Sequence, residues 1–150
     1  CFGFMIDWKS FKWFLGFKPD FTNSIENGQY GEWLGGRYVR KKGFSILHSN
    51  WRSRRDRRNE IDLICMDDGM LVFIEVRARS EKSYTNGYDS LNKRKRKALL
   101  NSFKSYLHEV DRTPNSYRFD LIEIDLPSGP GRSPKVFHHE NIAIFNDNLH

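Results

Sequence analysis

One short stretch restricts the folds open to this chain more than any other. Glu60 to Met66 and Met70 to Arg79 are apolar, β-branched runs broken by charges at alternate positions, and Asp67-Asp68-Gly69 lies between them. An Asp-Gly pair between two such runs signals a type I′ hairpin turn, whose two central residues must both take positive φ. If Asp68 and Gly69 are those residues, Asp67 pairs with Met70 and the register follows back along the hairpin. It sets Asp62 opposite Glu75 and Glu60 opposite Arg77, and residues two apart on a strand share a face, so four charged groups are expected to cluster. Directly opposed side chains have Cβ atoms about 4.5 to 5.5 Å apart, close enough for two carboxylates to share one hard cation. Two readings stay open. Either Asp62 and Glu75 hold a metal, or the face is solvated, with Glu60 and Arg77 as a cross-strand ion pair.

The 150 residues suffice for one domain with an appended arm. Residues 1–23 form the arm, with Phe2, Phe4, Trp8, Phe11, Trp13, Phe14 and Phe17 mixed with Lys9, Lys12 and Lys18. A loosely amphipathic helix through Met5, Trp8, Phe11 and Leu15 is expected to pack on the domain; a membrane-surface or partner-binding element is the alternative. The domain proper takes residues 24–150. A helix should start near Ser24 or Asn27, carry Tyr30, Trp33, Leu34 and Tyr38 on one face with Glu32 on its surface, and stop at Gly43. Phe44 to Trp51 reads as a strand and Asn92 to His108 as a helix with Ala98, Leu99, Phe103, Tyr106 and Leu107 inward. Arg118 to Leu126 is a further strand, Pro127 to Pro134 a loop, and Lys135 to His138 a short fifth strand.

Lys and Arg number 25 against 19 Asp and Glu, a net charge of +6 that favours an anionic partner. Two basic blocks stand out: nine Lys or Arg against one acidic residue between Arg37 and Arg58, among them Arg52, Arg54, Arg55, Arg57 and Arg58, then Lys93, Arg94, Lys95, Arg96 and Lys97 with Lys104 beyond; Arg79 lies near the hairpin end. Each is either a solvated face or a phosphate track, and together they favour contacts to the phosphates and sugars of nucleic acid over base readout. Cys1 and Cys65 are the only cysteines, so a reducing compartment, the cytosol, is expected. No apolar stretch approaches the roughly 20 residues that cross a bilayer. The chain starts at Cys1 and not at Met, which leaves an upstream segment open. His138 and His139 should point to opposite faces, at the surface or partly buried. Asp120 reads as a strand charge or as the partner of a basic residue. No phosphate-binding Gly loop, zinc-spaced Cys pair or nucleophile-base set is present.

Asp62, twelve intervening residues and Glu75-Val76-Arg77 resemble the PD-(D/E)xK nuclease motif with Arg in the Lys position. Gly31-Glu32, Gly43-Phe44 with Ile46-Leu47, Asn50, Arg52, Glu60-Ile61-Asp62-Leu63-Ile64, Val72-Phe73-Ile74-Glu75-Val76, Arg79, the Lys-rich helix with Tyr106-Leu107, and Arg118-Phe119-Asp120 resemble the YraN family of uncharacterised proteins. The resemblance spans roughly residues 28 to 145. It implies a restriction-endonuclease-like α/β/α core, a mixed central sheet of four to five strands with flanking helices, related to archaeal Holliday-junction resolvases. It also implies Mg²⁺ or Mn²⁺ held by Glu32, Asp62, Glu75 and the carbonyl of Val76, with Asp62, Glu75 and Arg77 in catalysis. The expected activity is metal-dependent endonucleolytic cleavage of branched or duplex DNA, with RNA as a further substrate and homo-oligomers open. A nuclease-fold binding module with weakened catalysis is the alternative, and a membrane-surface adaptor is a third class. Arg77 marks the departure, since Arg stays protonated and stabilises charge without acting as a base.

Overall fold

The fold is seen in a computed structural model, which describes residues 8–19, 21–80, 91–110, 114–129 and 131–144. The start of the aromatic arm at 1–7 and the loop residue Pro130 lie outside them. In chain order the elements are α1 (Trp8–Phe14), α2 (Ser24–Lys41), β1 (Ser45–Arg52), β2 (Glu60–Asp67), β3 (Met70–Ser80), α3 (Lys93–Glu109), β4 (Tyr117–Leu126) and β5 (Lys135–His139). The five strands form one mixed sheet in the order β1-β2-β3-β4-β5, parallel only between β3 and β4 and antiparallel elsewhere. The fold is α/β.

Local chemistry sets the boundaries. Asn23 caps α2 by accepting the Ile25 N–H at 2.9 Å, and Asn92 caps α3 by accepting the Lys95 N–H at 2.9 Å, each supplying an acceptor to a helix end that lacks one. Asp68 and Gly69 have φ of 45° and 81°, the two positive values of a type I′ turn, and Asp67 pairs with Met70 as its register requires. β3 is apolar on both faces because helices cover both: Val72, Ile74 and Val76 join the core under α2, while Leu71 and Phe73 join that under α3.

Two glycines bring α2 unusually close to the sheet. A Cβ on Gly31 would overlap the Ala78 side chain, and one on Gly35 would lie 3.0 Å from a Val76 methyl. Glu32 follows Gly31, so the approach that needs glycine also delivers this carboxylate to β2 and β3. α1 is held through Trp13, which is buried against Tyr30 and Trp33 with ring centroids 5.3 and 5.9 Å away.

Candidate metal and nucleic-acid site

The hairpin keeps its turn-defined register from Asp67↔Met70 as far as Leu63↔Ile74, and there the ladder ends. Asp62 is the next residue. Its carboxylate Oδ2 accepts the Val76 N–H at 2.8 Å, so a side chain replaces the backbone partner that ladder pairing would supply. The strand also rolls over at this point. Leu63 and Cys65 face α2, yet Ile61, which simple alternation would put beside them, lies in the core under α3. On β1 the same switch falls at Asn50, between the pairs Ser49↔Leu63 and Trp51↔Ile61, where φ is 51°.

This corrects the expected arrangement in two respects. Asp62 and Glu75 are not a ladder pair, because Asp62 turns to the backbone of Val76. Glu60 does not depend on Arg77 across the hairpin: it stands opposite Arg52 on β1, with the two charged groups 3.1 Å apart. The β1–β2 ladder continues where the β2–β3 ladder has stopped, and Glu60 follows the strand that remains paired.

Asp62 lies between two groups of charge. From the α2 side comes Glu32, with Asn50, Glu60 and Asp62 beside it in a groove of about 1270 Å³. Glu75 lies between Ile74 and Val76, both of which face α2, so it is directed to the α3 side, where the Lys95 ammonium sits 2.7 Å from Oε1 and Arg77 Nε lies 3.8 Å away. Burial, then the negative charge of Glu75, pushes Asp62 up to about 7 against the pull of the Val76 N–H, and Glu32 adds to the rise. Glu32 is itself raised, first by burial, with the Asn50 side chain opposing and the charges of Glu60 and Glu75 adding. Among the described residues, no group of three His, Cys, Asp or Glu side chains is placed to hold a metal ion. The side chains of Glu32, Asp62 and Glu75 are hard oxygen donors, and their like charges raise Glu32 and Asp62 in turn.

The basic residues divide into engaged and exposed sets. Arg52 pairs with Glu60, and Arg58 clasps Asp56 at 2.8 Å. Arg79 is tied to the buried Glu123 of β4, Arg96 donates to the Leu91 carbonyl at 2.8 Å, and Lys95 holds Glu75. Arg54, Arg55, Arg57, Lys93, Arg94 and Lys97 are exposed. The Arg-rich loop is pinned by Ser53, which donates to Glu109 at 2.6 Å, and by the Arg54 N–H to the same carboxylate. By sequence Lys95 reads only as one cation of a phosphate track. Its helical spacing carries the missed signal, because it lies one turn before Leu99 on the stripe that continues through Phe103 and Tyr106, all three buried.

Asp120 is the partner of basic residues anticipated from the sequence, and it is fully buried. It accepts from Arg118 at 3.0 Å and from the Asn141 N–H at 2.9 Å, and it meets His138 Nε2 at 2.9 Å. Burial works to raise it, but the bonds from His138, Arg118 and Asn141 hold it below the usual range. His138 is buried in this network while His139 lies 3.6 Å from Glu123, so the two point to opposite faces of β5.

Fold and site together define an α/β domain whose mixed sheet is covered by helices on both faces, with an acidic centre where its hairpin splays. The model of the family described as "Uncharacterised protein family UPF0102" matches residues 31–124, and the chain belongs to that YraN-like family. It is similar to a UPF0102 protein of Carboxydothermus hydrogenoformans, 41% identical over 125 residues covering 82% of this chain and 99% of that protein. A UPF0102 protein of Herpetosiphon aurantiacus is 35% identical over 78% of this chain and 93% of its own. One of Pseudomonas aeruginosa is 32% identical over 73% and 86%.

Proposed function

We propose that this chain is a nucleic-acid phosphodiesterase, a cytosolic endonuclease of the PD-(D/E)xK, restriction-endonuclease-like kind that cuts structured or duplex DNA with Mg²⁺ or Mn²⁺. The observation that carries the reading is Asp62, half-buried at the end of the hairpin ladder with its carboxylate on the Val76 N–H, where the charges of Glu75 and Glu32 help to push it up to about 7. Like charges concentrated in a poorly solvated place are costly to a fold and call for a function. Asp62 and Glu75 would hold the cation, with Glu32 beside them. A bound Mg²⁺ or Mn²⁺ supplies polarisation of a phosphate oxygen and a more acidic water. Arg77 and Lys95, both beside Glu75, offer positive charge to the phosphate oxygens as the oxygen of water attacks phosphorus and the bond to the leaving oxygen breaks. Arg77 has no proton to exchange at neutral pH, so the water's proton passes to another group or to solvent, and the leaving oxygen is protonated from solvent. The exposed Arg54, Arg55, Arg57, Lys93, Arg94 and Lys97 bind the flanking phosphates.

The test is cleavage of branched, duplex and single-stranded DNA in Mg²⁺ or Mn²⁺ beside Glu75→Ala. Metal-dependent products from the wild type and none from the variant are expected. A second reading, a DNA-binding module with weakened or lost catalysis, is favoured by Arg77 at the motif Lys position and by Lys95 already seated on Glu75. Binding without cutting, across both metals and all three substrates, would leave that reading standing.

A further inference from the structure

Phosphodiester cleavage at the acidic centre gives α1 no task. Trp13 anchors this helix, yet Trp8 and Phe14 are 68% and 69% exposed and Phe11 is 40% exposed. Trp8 and Phe11 stack on one another, centroids 5.8 Å apart, so the rings present a joined aromatic surface. Large apolar rings grouped in water on an anchored helix mark a contact surface.

That surface opens onto the acidic centre. Trp8 and Phe11 line the same groove as Glu32 and Asp62, with Lys9 and Arg40 also in its lining. At about 1270 Å³ the groove exceeds the span of about 300 to 1,000 Å³ usual for small-molecule clefts, which suits a length of polymer. Aromatic faces next to cations, leading to a centre that handles phosphodiesters, match one ligand chemistry: a nucleic-acid strand whose bases are free to stack. Inside a duplex the neighbouring pairs cover each base face, so blunt duplex has only its two end pairs to offer these rings. A bilayer surface cannot follow the rings into a concave groove.

We infer that α1 and the groove it walls bind unpaired nucleotides, so that the preferred DNA carries a single-stranded segment, a fork, flap or overhang, beside the duplex. This rests on the phosphodiesterase reading for its DNA substrate, and a binding measurement tests it separately. The full chain carrying Asp62→Asn is titrated by fluorescence anisotropy with duplex bearing a single-stranded tail and with blunt duplex of equal length. The tailed DNA is expected to bind about tenfold tighter, the scale of one stacked base. Trp8→Ala with Phe11→Ala should bring the ratio near one, whereas Trp8→Phe, which keeps a ring, should preserve it; all are exposed positions, and thermal melts report their folding. A ratio near one in the parent, or an unchanged ratio in the double alanine variant, overturns the inference. So does an effect of the double variant confined to phosphatidylserine vesicles, or to a dimer seen by sedimentation. If the tail preference is found while the chain with Asp62 intact cuts nothing, the phosphodiesterase reading alone falls; cutting without any tail preference removes only the role of α1.

Discussion

Asp62 carries opposing demands on one carboxylate. It accepts the Val76 N–H, which wants it charged, while burial and the charges of Glu75 and Glu32 favour the protonated form and prevail. Its pKa of about 7 in the fold, against 3.8 as the ordinary value, means that the folded state holds the proton more tightly. The associated stability is therefore full below about pH 4 and is lost as pH rises through about 7, at about 1.4 kcal/mol per unit of difference. In the absence of divalent metal, urea unfolding at pH 5 and pH 8 should show the wild type losing stability with rising pH relative to Asp62→Asn, whose amide oxygen can still accept from Val76. Added Mn²⁺ should reverse that loss in the wild type only. Next to it, Lys95→Ala removes the ammonium from a carboxylate that is 10% exposed; about 1 to 2 kcal/mol of stability should go, less than for a wholly buried pair because Lys95 is itself 37% exposed. Arg77→Lys tests catalysis directly. A compact ammonium beside the attacking water should raise a slow metal-dependent cutting rate, each tenfold gain being about 1.4 kcal/mol of barrier, and an unchanged rate in a single-turnover assay would assign Arg77 to pairing with Glu75.

At the scale of elements, α2 is positioned by what it lacks. Gly31→Ala would drive a methyl into Ala78 across two backbones, and overpacking of this kind costs about 1 to 3 kcal/mol. Chemical denaturation should show that loss, with weaker Mn²⁺ binding because Glu32 moves with the helix. The secondary structure was largely legible because the signals are local: the Asp68-Gly69 turn fixes a register, α2 starts at Ser24 and α3 follows Asn92 as read, and the Leu99, Phe103 and Tyr106 spacing fixes a buried face, although Ala98, read as inward, is exposed because it falls off that stripe. For the candidate site, the sequence names residues, and the structure differs from it in how they are arranged. A register counted outward from a turn cannot reveal where the ladder stops, because that depends on Asp62 finding a backbone donor two positions past the last pair. Nor could it show Lys95 on Glu75 or Arg79 on Glu123, pairings set by how α3 and β4 dock against β3.

The whole molecule carries a surplus of positive charge, and part of it stands exposed on the Arg-rich loop and at the start of α3. α3 opens with five consecutive basic residues and no acidic one in its first turn, at the end where the helix dipole already favours an anion. DNA affinity should therefore fall steeply with salt, and replacing Arg54, Arg55 and Arg57 together by Gln should flatten the log–log slope by about 0.9 for each phosphate that is no longer neutralised. An equal slope in the variant would assign the loop to solvent. No helix among the described residues is long and apolar enough to cross a membrane.

The left-handed residue in β1 has a further consequence. β1 is, with β5, one of the two edge strands of the sheet, and its far side offers backbone groups to any other extended chain. Asn50, at φ 51°, breaks the flat run of that margin in the same place where it turns β1 over beside Asp62. Asn tolerates this conformation and a β-branched residue does not, so Asn50→Val should straighten the strand, move the partner of Glu32, and make the protein prone to self-association through strand addition. One kink thus shapes the acidic centre and keeps the sheet from growing at this edge.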